Sequence, residues 1–163
     1  MFLKGSCHCG AVRFSLESQH PYPFMRCYCA ICRKTAGGGG YVLNIGGEAE
    51  SLKVIGEEFI SRYQAMMEDD SGNTTQSPAQ RNFCKQCGSA LWVWDPRWPE
   101  LIHPFASAID TDLPVAPEHT HLMLAFKAGW VPLDAAPGDK VFDRYPQESI
   151  ADWHQRLNLV VPE

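Results

Sequence analysis

Apolar and polar residues alternate with a period of two along much of the chain, the mark of strands with one buried face. Residues 11–16 (AVRFSL) set Val12, Phe14 and Leu16 against Arg13 and Ser15. Residues 41–45 (YVLNI), 51–56 (SLKVIG), 58–64 (EFISRYQ), 90–95 (ALWVWD), 101–109 (LIHPFASAI) and 121–130 (HLMLAFKAGW) read as further strands. Gly56-Glu57, between two of these runs, predicts a hairpin turn. Helical periodicity is scarce. Residues 29–36 (CAICRKTA) suit one or two turns before the glycine run 37–40. Residues 146–157 (PQESIADWHQRL) put Ile150, Trp153 and Leu157 on one helical face, started by Ser149 or Pro146. The polar segment Met67 to Gln80 reads as a long surface loop, as do 110–120 and 133–140. The expected fold is mainly β, with short helical turns and a C-terminal helix, in a single domain over 1–163.

Composition narrows the function. The formal net charge is -5, and no run of Lys or Arg exceeds two residues. Nucleic acid is therefore not an expected partner, because phosphate binding needs a basic footprint. No stretch approaches the ~18 to 20 apolar residues of a membrane span, so no membrane partner is expected. The first residues, MFLKGSCHCGAV, do not read as a signal peptide, which points to a reducing, cytoplasmic location.

Seven cysteines fall in three groups, and an odd number cannot pair completely within one chain. Metal ligation is the better explanation. Cys7 and Cys9 form C-x-C followed by Gly10; Cys84 and Cys87 form C-x-x-C followed by Gly88. Two such clips from distant parts of a chain suit a tetrahedral, structural zinc with four thiolate ligands. Each clip leads into a predicted strand, so joining them would close a long loop and convert binding energy into folding energy. Cys27, Cys29 and Cys32 form C-x-C-x-x-C. Three thiols with one open position suit a catalytic zinc, giving two zinc ions per chain. None of His8, His20, His103, His119, His121 and His154 is assigned as a ligand. His8 is expected to point away from the metal, and His20 and His154 to lie on the surface.

The segments GSCHCGAVRFSLE, CYCAICRKTAGG, FCKQCGSALW and HLMLAFKAGW resemble the glutathione-dependent formaldehyde-activating enzymes, the centromere protein V-like family. The likeness runs from Gly5 to about Tyr145. It implies several small, bent antiparallel sheets (a β-tent) around a zinc-ribbon-like core. It implies a structural zinc on Cys7, Cys9, Cys84 and Cys87, and a catalytic zinc on Cys27, Cys29 and Cys32. The implied activity is that of a carbon–sulfur lyase, forming S-hydroxymethylglutathione reversibly from glutathione and formaldehyde. A small thiol, with glutathione the leading candidate, is then the expected partner. Arg26, Arg33 and Lys34 flank the trio and are candidates to receive its carboxylates. Tyr28, Thr35 and His121 are candidate proton donors. Two other readings use the same cysteines: a non-catalytic zinc module that binds a protein partner, and a redox dithiol at Cys29 and Cys32.

Overall fold

The alternation is spent on three β-sheets. The computed structural model describes residues 1–162. In chain order the elements are β1 (Phe2–Ser6), β2 (Arg13–Glu17), β3 (His20–Cys27), α1 (Ala30–Ala36), β4 (Val42–Glu48), β5 (Lys53–Ile55), β6 (Ile60–Tyr63), β7 (Met66–Glu68), β8 (Thr74–Gln76), β9 (Gln80–Cys84), β10 (Ala90–Trp94), β11 (Leu101–Pro104), β12 (Thr120–Leu122), β13 (Lys140–Val141) and α2 (Ile150–Arg156). One sheet runs β1-β2-β5. A long one runs β13-β12-β3-β4-β11-β10-β9-β6. The third is the hairpin β7-β8. Pairing is antiparallel except at one edge, where β12 lies parallel to both β3 and β13.

The first two sheets share a core. Leu3, Phe14 and Leu16 from the small sheet meet Ile45, Leu91, Trp92 and Ile102 from the long one. Phe14 and Trp92 make an edge-on ring pair at 5.1 Å, the arrangement that ring quadrupoles favour. A second cluster forms where α2 covers β3: Phe24 and Trp153 stack with centroids 3.8 Å apart. The helix starts at Ser149, whose hydroxyl accepts from the Asp152 N–H while the Asp152 carboxylate accepts from the Ser149 N–H, a capping box. The predicted C-terminal helix is therefore present, shorter than the segment 146–157.

Several expectations need correction. Gly56-Glu57 makes no hairpin: β5 pairs with β2 and β6 pairs with β9, so the chain changes sheet there. The segment 67–80 is not all loop. It contains β8 and most of β7, joined by a turn in which Asp69 accepts from the N–H groups of Ser71 and Asn73. The run 121–130 is strand only through Leu122. Met123 then adopts a left-handed φ of 64°, and a 3-10 turn follows at Leu124–Phe126.

His154 is not a surface residue but fully buried. Its Nδ1–H donates to the Ile150 carbonyl, a pure acceptor, at 2.8 Å. Its Nε2 is therefore bare and accepts the Tyr22 N–H at 3.2 Å. His20 is half-buried, with its ring edge-on to His154 at 5.0 Å.

Burial pulls the His154 pKa down to about 4. The unfolded chain then takes up a proton near pH 6.5 that the folded chain refuses until about pH 4. Stability carried by the neutral ring is complete above pH 6.5 and is lost as pH falls towards 4, by roughly 3 kcal/mol in all. Urea unfolding followed across this window is expected to show the loss. The His154→Gln variant is expected to be less stable at neutral pH and to lack this part of the slope.

Candidate metal centres

The first cysteine group lies at the tips of two hairpins. Cys7 and Cys9 occupy the turn between β1 and β2. Cys84 ends β9, and Cys87 lies in the turn before β10. In both turns the glycine N–H closes back onto the carbonyl of the first cysteine, across three residues in one and four in the other. The Gly10 N–H donates to the Cys7 carbonyl at 3.0 Å, and the Gly88 N–H to the Cys84 carbonyl at 2.8 Å. Gly10 has φ 75° and Gly88 φ 74°, values a side chain rarely adopts, although open space surrounds both. The glycines after each clip are thus required by the backbone, not by crowding.

The four sulfurs of Cys7, Cys9, Cys84 and Cys87 lie within 4.8 Å of one another. Cys7 and Cys9 are 3.5 Å apart, and Cys9 and Cys84 3.8 Å. Four thiolates around one zinc at ~2.3 Å would stand ~3.8 Å apart, so the group fits a tetrahedral metal. The main chain also supports the sulfurs: the Val12 N–H donates to Cys7 Sγ at 3.2 Å. The Ser89 hydroxyl and N–H hold the Cys87 thiol down to about 5, which favours the thiolate a metal needs.

The second group forms where β3 runs into α1. Cys27 ends β3, Cys29 caps α1, and Cys32 lies in its first turn. The three sulfurs also lie within 4.8 Å of one another. The Cys32 N–H donates to Cys29 Sγ at 3.3 Å. Hydrogen bonds from Cys27 and Cys32 pull the Cys29 thiol down to about 2. The Cys27 thiol is pushed up, chiefly by its bond to Cys29. Cys32, lowered by Cys27 but raised by Cys29 and by burial, ends near 11. Three soft donors on one side also suit a metal. Among the described residues neither group includes a histidine or a carboxylate.

Arg81 is the cation at the trio. Its Nη2 lies 3.7 Å from Cys32 Sγ, and its Nη1 is buried without a hydrogen-bond partner among the described residues. Arg81 also lines a cavity of about 310 Å³ with Thr35, Tyr63, Phe83, Ala90 and Phe105. Ala90 and Phe105 belong to the apolar cluster that packs against all three cysteines, so the cavity opens beside the trio.

The sequence-based candidates divide. Arg26 neighbours Cys27 on a strand and so faces away from it; its guanidinium lies over the Tyr41 ring at 5.2 Å. Arg33 is half-buried near the end of α1, and Lys34 is exposed. Thr35 donates its hydroxyl to the Ile31 carbonyl at 2.7 Å. Tyr28 and His121 bond to each other at 2.9 Å. Sequence reasoning missed Arg81, three residues before Cys84, because no spacing rule links it to Cys32. It also missed Tyr145, whose phenol pKa is raised by desolvation and then by the negative charge of Cys27, Cys29 and Cys32. That residue is 75% exposed, so water screens the effect, but its hydroxyl is within electrostatic reach of the trio.

The chain is similar to several known proteins. Residues 2–124 match the family model "Glutathione-dependent formaldehyde-activating enzyme". A Halomonas elongata protein named "Putative glutathione-dependent formaldehyde-activating enzyme" is 61% identical over 159 residues, covering 98% of each chain. The crystal structure of a Rhodobacter sphaeroides protein superposes with a TM-score of 0.51 at 25% identity, covering 68% of this chain and 91% of that one. The chain, mainly β and built of small antiparallel sheets, belongs to the glutathione-dependent formaldehyde-activating enzyme family.

Proposed function

We propose that this protein is a zinc-dependent carbon–sulfur lyase that joins a small thiol, with glutathione the leading candidate, to formaldehyde. In this reading Cys7, Cys9, Cys84 and Cys87 hold a structural zinc, and Cys27, Cys29 and Cys32 hold a catalytic one. The observation that carries it is the trio itself: three converging thiols beside a half-buried arginine and a cavity. The name of the Halomonas relative supports the choice of substrates. Free cysteines throughout suit the reducing cytoplasm in which we place the protein.

A zinc ion on three thiolates is electron-rich, which favours holding a substrate thiol as its thiolate over activating water for hydrolysis. Arg81 lies where it can pair with a negative group of the incoming thiol or with the oxygen that becomes anionic. The cavity wall of Phe83, Ala90 and Phe105 keeps that pair out of bulk water, where it would be weak. The thiolate sulfur forms a bond to the formaldehyde carbon, and the carbonyl π pair moves to oxygen. A proton equivalent to the one lost by the thiol then ends on that oxygen. Tyr145, whose phenol feels the charge of the three thiols, is the side chain we assign to deliver it. In reverse, Tyr145 takes the proton and the carbon–sulfur bond breaks.

The two centres are expected to fail differently. Cys84→Ser should lower stability by several kcal/mol or abolish soluble expression. Cys29→Ser should keep the fold and lose one metal equivalent, read by elemental analysis beside thermal unfolding. Equal instability of the two variants would refute this division.

Glutathione is expected to bind the zinc-loaded protein, and S-methylglutathione to bind at least tenfold more weakly, by calorimetric titration. Equal binding would show that sulfur is not the anchor. The adduct also forms spontaneously, so catalysis needs its own measurement. Exchange between free and adduct formaldehyde, followed by NMR, is expected to accelerate with the protein. It should fall about 10²-fold with Arg81→Gln, on the scale of losing one preorganised donor, and stay at the background rate with Cys29→Ser.

A further inference from the structure

The mechanism leaves one buried polar chain unused. Tyr28 stands between Cys27 and Cys29 and is fully buried. Its hydroxyl is 2.9 Å from His121 Nδ1, and His121 Nε2 is 3.0 Å from Asp139 Oδ2. The His121 side chain is 0% exposed and that of Asp139 2%. The Asp139 carboxylate can only accept, so His121 carries its proton on Nε2 and offers a bare Nδ1 to the Tyr28 O–H. Asp139 is fixed in turn. Its Oδ1 accepts the His119 N–H at 2.7 Å, and its Oδ2 the Ala136 N–H at 3.0 Å.

Strand geometry says what this chain can do. At an extended C-x-C, the two sulfurs face one way and the middle side chain the other. Tyr28 is therefore the handle on the back of the clip that Cys27 and Cys29 form. The handle is gripped twice: by its hydroxyl, and by its own N–H, which donates to the Leu122 carbonyl at 3.0 Å. Both grips come from β12 and its neighbour. The far end, Asp139, lies beyond residue 124, where the match to the family model stops.

We infer that Asp139, acting through His121 and Tyr28, is a positioning residue that holds Cys27 and Cys29 in register for a metal on the trio. The inference rests on the trio's being a metal centre, as proposed above. It assigns a job to the C-terminal segment: residue 139 sets which nitrogen of His121 is protonated, that sets the Tyr28 hydroxyl, and the clip follows. Hydrogen bonds made directly to a metal ligand are worth about 10- to 100-fold in affinity; this chain acts one step removed, through the backbone between two ligands, so the lower end of that range is expected.

The test is a cobalt(II) titration of the metal-free protein against a competing chelator, with thiolate-to-cobalt absorption resolving the two centres. In the unaltered protein two cobalt ions are expected. Uptake of one ion alone would refute the metal reading of the trio, and this inference with it, before any variant is made. Tyr28→Phe keeps the ring and removes only the hydroxyl, so it is expected to fold. Asp139→Asn sets an amide NH2 against a donor N–H in either orientation. Each variant is expected to weaken the trio by about tenfold or more and to leave the four-cysteine centre unchanged. The double variant should be no worse than the weaker single, since the chain acts as a unit. Unchanged trio affinity in Tyr28→Phe, additive losses, or equal weakening of both centres would overturn the inference.

Discussion

The fold turns on one junction, where two hairpin tips bring four sulfurs together. The hairpin β1-β2 belongs to the small sheet and the hairpin β9-β10 to the long one. Between Cys9 and Cys84 lie some 75 residues of chain whose closure costs entropy in any unfolded comparison. Apolar contact helps, through Phe14 against Trp92 and the leucines around them. Such contact is non-directional, however, and does not fix the angle between two sheets. Four sulfurs around one point do fix it. In the proposed reading a metal there would set the relative position of the sheets, and everything carried on β9 with it.

The two centres share one strand, β9. Residues three apart on a strand face opposite ways. Cys84 therefore faces the junction while Arg81 faces the other side, where it meets Cys32. The trio itself is local: a strand end and the first turn of a seven-residue helix supply all three sulfurs. Its cation is not local. Arg81 reaches the trio because β9 and β3 belong to the same long sheet, linked through β10, β11 and β4. In the proposed reading, loss of the three-thiol site would leave the fold intact and loss of the four-thiol site would not, because only the latter ties distant segments together.

The parts of the structure legible in sequence were those written in short-range spacing. The period-two runs gave most strands of the core, and the clips with their glycines gave both cysteine groups. What escaped had physical reasons. β3 contains Pro21 and Pro23, which cannot donate to a ladder, and its register is broken between His20 and Met25 to accommodate them. β7, β8 and β13 are three, three and two residues long, too short to show a period. Gly56 read as a hairpin because turn chemistry says that the chain reverses, not which sheet receives it. His154 looked like a polar residue on a helix surface, yet its two nitrogens find a carbonyl and an N–H that make burial tolerable. Arg81 and Asp139 act across long separations, and nothing in their neighbours announces it.

Charge poses a last constraint on the proposed chemistry. The whole chain carries -5, and an anionic thiol approaching it gains nothing from the overall field. Recognition must then arise within a few ångströms. Arg81 supplies that: a guanidinium half-withdrawn from water, one arm at Cys32 and the other buried and unpaired among the described residues. In the proposed reading that arm meets an anionic group of the incoming thiol. Arg26, Arg33 and Lys34 cannot substitute for it. Arg26 is turned to the opposite face of β3, and Lys34 projects into solvent, where its charge is screened. Arg33 lies in the last turn of α1, where the helix's C-terminal carbonyls favour a cation. The same geometry limits the thiol's size. In the proposed reading a cavity of about 310 Å³, near the lower end for small-molecule sites, would receive the reacting end and one charged group, and the remainder of a tripeptide would lie outside it in solvent.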